Sequence, residues 1–171
     1  MLAIFVDIAL RNSGVFISYE NSYNFFVVKY KENFDQTNFL DIKNHKIFWK
    51  RTWKTLKNEY KTNKVFAVFE SDIFGMRKGG FKIKELLTIV RLNASFSLSE
   101  IFAKSEIKFV SSNQWKTKLF KNGGLKKENY KNKIIEMMRE EIGLQINEKI
   151  RHDIIDAMGL FLWAKKENLL I

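Results

Sequence analysis

Residues 1–9, MLAIFVDIA, decide how this chain is read. Leu2 to Val6 are apolar at successive positions, the pattern of a central strand covered on both faces, and Asp7 then places a carboxylate in the same run. An ionised acid in such surroundings costs on the order of several kcal/mol unless a cation compensates it. Two readings follow. Either the strand ends near Asp7 and the acid caps the turn made by Arg11, Asn12, Ser13 and Gly14, or Asp7 belongs to a site that recruits a cation. Equivalent carboxylates elsewhere in the chain decide between them.

Working outward, residues 14–20 and 23–30 read as two further strands, joined through short turns at Arg11–Ser13 and Asn21–Ser22 into an antiparallel meander. After a polar loop, His45 to Tyr60 carries Trp49, Trp53, Leu56 and Tyr60 at helical spacing, with Lys50, Arg51, Lys54 and Lys57 elsewhere on the turn. These tryptophans are expected in the core rather than on a base-stacking platform. Val65 to Phe69 is a second apolar run, and it stops on Glu70. A helix leading into a strand beside the first is the crossover that makes a parallel pair. Glu70 is therefore expected at the carboxyl end of the strand next to Asp7, the end where open sheets place their sites.

The loop SDIFGMRKGG follows, with Phe74 and Met76 among Gly75, Arg77, Lys78, Gly79 and Gly80. It lacks the Gly-Lys-Ser/Thr ending of a P-loop. Phe81 to Leu98 is a helix with apolar residues on more than one face, Ile89 and Phe96 lying off the main stripe, as suits either a dimer contact or deep packing. Ile107 to Val110 is a short strand. A basic, glycine-containing stretch spans 113–133, with Lys116, Lys118, Lys121 and Lys126, and Lys133 to Ile142 is helical and ended by Gly143.

A last helix beginning near Asn147 carries Ile150, Ile154, Ala157 and Phe161 as an apolar stripe. Asp153 falls on the rim of that stripe, Asp156 lies farther round, and His152 shares a side with Asp156. In isolation these acids could be solvated or paired with Lys149 and Arg151. Together with Asp7 and Glu70 they read differently, because each acid interrupts or ends an apolar element that packs on one sheet. Converging carboxylates stay ionised only when cations neutralise them.

Composition narrows the cation and the partner. The chain has 171 residues, 46% of them hydrophobic and 15% aromatic, and reads as one globular domain. With no Cys, disulfides and thiolate sites are excluded, and any metal is held by oxygen or imidazole. That favours Mg²⁺, with Mn²⁺ able to substitute, and two such ions about 3.5–4 Å apart form a phosphodiester-cleaving clamp. Thirty basic residues against 19 acidic ones, a net charge of +11, are spread along the chain and indicate a polyanionic partner. Without Pro, the turns rest on Gly, Asn and Asp. No apolar run reaches the about 18 residues of a membrane span, and no basic leader opens the chain, so a cytoplasmic protein without a membrane partner is expected.

With these residues in view, the chain resembles the RuvC-type Holliday junction resolvases of the ribonuclease H superfamily. VDIALRNSGV, with Asp7, is similar to their first motif, VFAVFE ending at Glu70 to their second, and HDIIDA at His152–Ala157 to their closing motif. NQWKTKLFKNGGLKKENYKNK is similar to the basic segment before the final helices. Ile8 and Ala9 depart from the Pro and Gly usual in bacterial members, and the chain is more like divergent phage members. The resemblance implies a ribonuclease H-like α/β fold, a five-stranded mixed sheet of meander plus parallel strands with flanking helices, as a single nuclease domain over 1–171. It implies metal ligation by Asp7, Glu70, Asp153 and Asp156, with His152 as ligand, proton shuttle or bystander. It places Phe74 where an aromatic inserts at the junction centre, and Arg77, Lys78, Lys116, Lys118, Lys121 and Lys126 among DNA-binding positions. The implied activity is Mg²⁺-dependent resolution of four-way DNA junctions by a homodimer. A broader fork or flap nuclease and a catalytically inert junction-binding module are the alternatives.

Overall fold

The structure, a computed structural model, describes residues 1–9, 12–30, 39–71, 81–121, 127–147 and 149–170, with Phe39, residues 81–87 and residues 127–128 described by backbone alone. Of the expected site residues, Phe74, Arg77, Lys78 and Lys126 lie outside the described residues, as does Arg11 of the first turn.

Five strands form one mixed sheet. β1 (Leu2–Asp7), β2 (Asn12–Tyr19) and β3 (Ser22–Lys29) make the meander, and β4 (Lys64–Glu70) and β5 (Lys104–Val110) complete the order β3-β2-β1-β4-β5. β1 is central, antiparallel to β2 and parallel to β4, as its unbroken apolar run requires. The crossovers are α1 (Phe39–Tyr60) before β4 and α2 (Phe81–Ile101) before β5; α3 (Ser112–Phe120), α4 (Lys127–Ile142) and α5 (His152–Lys166) follow.

Strand alternation sorts the core into two layers. Leu2, Ile4, Val6, Val15 and Ile17 pack with Trp49, Trp53, Val90, Ala94 and Leu98 of α1 and α2. Ala3, Phe5, Phe16, Phe66 and Val68 pack with Ile155, Met158, Phe161 and Trp115 on the other face, where α5 lies across β1, β2 and β4. Trp49 and Trp53 are 1% and 0% exposed, core residues as expected. No helix among the described residues is long and apolar enough to cross a membrane.

Several boundaries differ from the sequence reading. The first helix starts at Phe39 rather than His45, with Asp41 in its first turn, where a negative charge favours the helix dipole. The stretch 113–133 is not one segment: a Ser111–Gln114 capping box starts α3, Lys121 ends it at φ 57°, and α4 begins already at Lys127. Gly143 follows α4 at φ 67° as its C-terminal stop. The last helix starts at His152, not near Asn147, because Arg151 is extended at φ −68°, ψ 146°. Ile150, expected on its apolar stripe, therefore precedes the helix.

Candidate active site

Period-two alternation aims the first two acids. Asp7 continues the face of Ala3 and Phe5, and Glu70 continues that of Phe66 and Val68, so both project toward α5. The parallel register pairs Val6 with Phe69, which sets Asp7 beside Glu70 one step later at the carboxyl ends of the two strands. The turn after Asp7 is tied by Ser13, whose Oγ accepts from Ala9 N at 3.2 Å and donates to Ala9 O at 3.3 Å.

A glycine delivers the third acid. Gly14 pairs with Asp7 across β1 and β2, and a Cβ on Gly14 would stand 1.9 Å from Asp153 O and 2.7 Å from Ile154 N. The first turn of α5 thus rests directly on the bare backbone of Gly14, next to Asp7. A second glycine serves Glu70. A Cβ on Gly159 would stand 2.4 Å from Trp115 Cζ3, so the indole edge fits against α5 where a side chain is missing, and its Nε1 donates to Glu70 Oε2 at 2.8 Å.

Asp156 is engaged from two sides. Tyr130 Oη donates to its Oδ1 at 2.9 Å, and Lys116 Nζ lies 3.8 Å from the same oxygen. Lys116 also sits over the rings of Trp115 and Tyr130, 4.8 and 4.6 Å from their centroids. Asp153 is held by Arg151, whose Nη2 donates to Oδ2 at 3.0 Å. The helical projection sets Asp153 nearer the buried stripe than Asp156. The structure reverses that order, since the side chain of Asp156 is 17% exposed and that of Asp153 26%.

The acids feel one another. Burial lifts the Asp7 carboxyl well above its ordinary value, and the charges of Glu70, Asp156 and Asp153 push it further, opposed by Arg91. Burial, then the charge of Asp156, raises the Tyr130 phenol, which stays protonated. Among the described residues no group of three Asp, Glu or His side chains stands as a ready metal cage. The donor set nevertheless fits a hard divalent cation: carboxylates from β1, β4 and α5, no thiolate, and an electrostatic conflict at Asp7 that a cation relieves. Asp7, Glu70, Asp153 and Asp156 are the residues that could hold it.

The basic residues separate. Of the expected DNA-binding lysines, three (Lys116, Lys118 and Lys121) are among the described residues, and of these Lys116 is the one beside the acids. Lys118, paired with Glu167 at 2.7 Å, and Lys121 line an open groove with Phe109, Thr117 and Trp163 on the outer side of α3. Gly159, Trp115 and Tyr130 are site-building residues that the sequence reading did not single out, and Gly14 was read only as part of the first turn and motif. Their signal is contact between elements distant in the chain, which a motif does not carry.

No protein-family profile matches the chain, and no curated protein matches it by sequence. Solved structures do match its fold. Thermus thermophilus RuvC in complex with a Holliday junction substrate aligns with a TM-score of 0.68 at 11% identity, over 99% of this chain and 96% of that one. Another Thermus thermophilus RuvC structure aligns at 0.63 and 13% identity over the same shares. The yeast mitochondrial Holliday junction resolvase aligns at 0.51 and 13% identity, over 98% of this chain and 80% of that one. The resemblance read from the three motifs is thus borne out at the level of fold, the five-stranded mixed sheet with flanking helices included.

Proposed function

We propose that this chain is a metal-dependent endonuclease, a single ribonuclease H-like domain, that resolves four-way DNA junctions. The observation that carries the reading is the convergence of Asp7, Glu70, Asp153 and Asp156 on one sheet face, on a fold shared with a RuvC captured on a Holliday junction. Mg²⁺, or Mn²⁺ in its place, would supply Lewis-acid activation of water and of the leaving oxygen. The chain's part is to hold that charge in place: Trp115 fixes Glu70, Gly14 seats Asp153 against Asp7, and Tyr130 orients Asp156. Lys116 offsets the acid charge beside the place where a phosphate would lie.

Lys118 and Lys121, with Arg77, Lys78 and Lys126, are assigned to the DNA backbone, and Phe74 to the open centre of the junction. Two copies acting as a homodimer would present two acid clusters to two symmetric strands. Exposed Ile89 and Phe96, two turns apart on α2, suit such a contact. The protein works on DNA in the cytoplasm.

The test is a labelled synthetic junction incubated with and without Mg²⁺. Cleavage is expected only with metal. Asp7→Asn and Glu70→Gln should each reduce it at least roughly 10³-fold while junction binding in Ca²⁺ persists. Near wild-type cleavage by either variant would remove the site assignment. Equal affinity of the unmodified protein for junction and plain duplex would replace junction resolution with a broader branched-DNA nuclease. Tight junction binding without cleavage under any divalent cation would leave a binding module.

A further inference from the structure

We infer that the groove on the outer side of α3 is a second nucleic-acid site, which takes an unpaired DNA strand by stacking a base on Trp163 and holding its phosphates with Lys118 and Lys121. This deepens the nuclease reading above, on which it rests for the kind of polymer bound.

α3 sends its lysines in two directions. Lys116 reaches the acids, whereas Lys118 lies about 160° round the helix from it and lines the groove together with Lys121. A phosphate held by Lys116 at the acid cluster is therefore not one held by Lys118 and Lys121, and the groove needs a stretch of strand of its own. Lys121 pairs with no acid among the described residues. Lys118 pairs with Glu167 at 2.7 Å, but the two side chains are 46% and 34% exposed, and so wet a pair is weak enough for a phosphate to replace the carboxylate.

Trp163 is the exception among the four tryptophans. Trp49, Trp53 and Trp115 are fully buried and give their indole N–H groups to His45, Ala94 and Glu70. Trp163 is only partly buried at the edge of the core, stacks with no other ring and gives its N–H to no acceptor among the described residues. It lines the groove with Lys118, as does Phe109, which is 43% exposed and backed by Phe69 at 5.8 Å. An open indole beside lysines is the combination that holds single strands: the cations follow the phosphates, and the aromatic face takes a base whatever its identity. A duplex shows its phosphates but hides its base faces in the stack. An acidic peptide would satisfy the lysines and leave the indole without a flat partner. The groove thus suits a strand that branched DNA leaves unpaired.

The test is binding of a short fluorescein-labelled oligothymidylate to the full chain without divalent cation, a condition under which the acid cluster repels phosphate. Trp163→Leu should weaken binding about 5-fold or more, with the unfolding midpoint followed alongside. An abasic strand of the same length should lose as much on the unmodified protein, and this arm leaves the core untouched. Lys121→Gln should lower the log–log salt slope by about 0.7, the share of one phosphate on a single strand, and Lys54→Ala, on α1 across the sheet, should not lower it. Glu167→Gln should tighten binding, because it releases Lys118. Equal affinity for the abasic and thymidylate strands, wild-type affinity in Trp163→Leu, an equal loss of slope in Lys54→Ala, or displacement by polyglutamate as effective as by unlabelled oligothymidylate would each overturn the inference. Failure of the nuclease reading is separable: it shows as a junction left uncut in Mg²⁺ by a protein that still binds the oligothymidylate in this pattern, whereas cleavage without such binding removes the groove alone.

Discussion

The two faces of the sheet use the same strands and the same residue types toward different ends. On the α1–α2 face the indole of Trp49 donates to His45 Nε2 at 3.1 Å and that of Trp53 to Ala94 O at 2.8 Å. On the α5 face the equally buried Trp115 donates to the carboxylate of Glu70 at 2.8 Å. All three satisfy a buried N–H, as any interior must. Only the third aims a group that can do chemistry. The first face packs mainly apolar side chains around a few buried polar ones such as His45 and Arg91, whereas the second carries, at the carboxyl ends of β1 and β4, acids that repel one another. Burial, then, does not distinguish a structural residue from a site residue here; the identity of the acceptor does.

The sharpest way to break the contrast is to lift α5 from the sheet. Gly14→Ala would place a methyl 1.9 Å from the Asp153 carbonyl oxygen, a backbone atom with no rotamer to yield. The expected cost is at least about 3 kcal/mol by denaturant titration, with loss of cleavage as Asp153 moves from Asp7. A variant with an unchanged midpoint and full activity would show that α5 is not seated there.

A matched pair of indole deletions tests the acceptor argument. Trp53→Phe and Trp115→Phe each remove one buried hydrogen bond and should each lose on the order of 0.5–1.5 kcal/mol of stability. Only Trp115→Phe should also slow junction cleavage, by about 10–100-fold, since it frees a candidate metal ligand. Equal rates in the two variants would place the functional face elsewhere.

The smallest effect belongs to the purely structural face. Burial lowers His45 from its usual 6.5 to about 4, so the folded protein keeps it neutral while the unfolded chain takes up a proton. Stability from this group is complete above pH 6.5 and is lost as pH falls toward 4, with a slope of at most about 1.4 kcal/mol per pH unit. His45→Gln keeps an acceptor for Trp49 and should flatten that slope without changing cleavage at neutral pH. Parallel stability–pH curves for the two proteins would refute the burial account.

How much of this was legible before folding follows from the physics of each signal. β1 was readable because a strand covered on both faces has to be apolar at every position, and β4 for the same reason. The acids at Asp7 and Glu70 stood out as exceptions to that rule. α3 was missed because Lys116, Lys118 and Lys121 hide a short helix inside a run of charge, and its start depends on the reciprocal Ser111–Gln114 cap rather than on apolar periodicity. The start of α5 was placed too early because Ile150 continues the helical stripe in sequence although Arg151 is extended.

By itself, the order of residues determined the mixed sheet, the crossover that sets β4 beside β1, and the three places where carboxylates enter apolar elements. These are local properties, set by side-chain period and by the cost of burying charge. Tertiary structure alone decided which lysine faces the acids, that Asp156 is more enclosed than Asp153, and that Tyr130 and Trp115 hold their partners. Those outcomes depend on two close approaches, α5 on Gly14 and Trp115 on Gly159, between elements far apart in the chain. A glycine in a sequence shows only that a side chain is missing, and what fills the space is fixed when the helices pack.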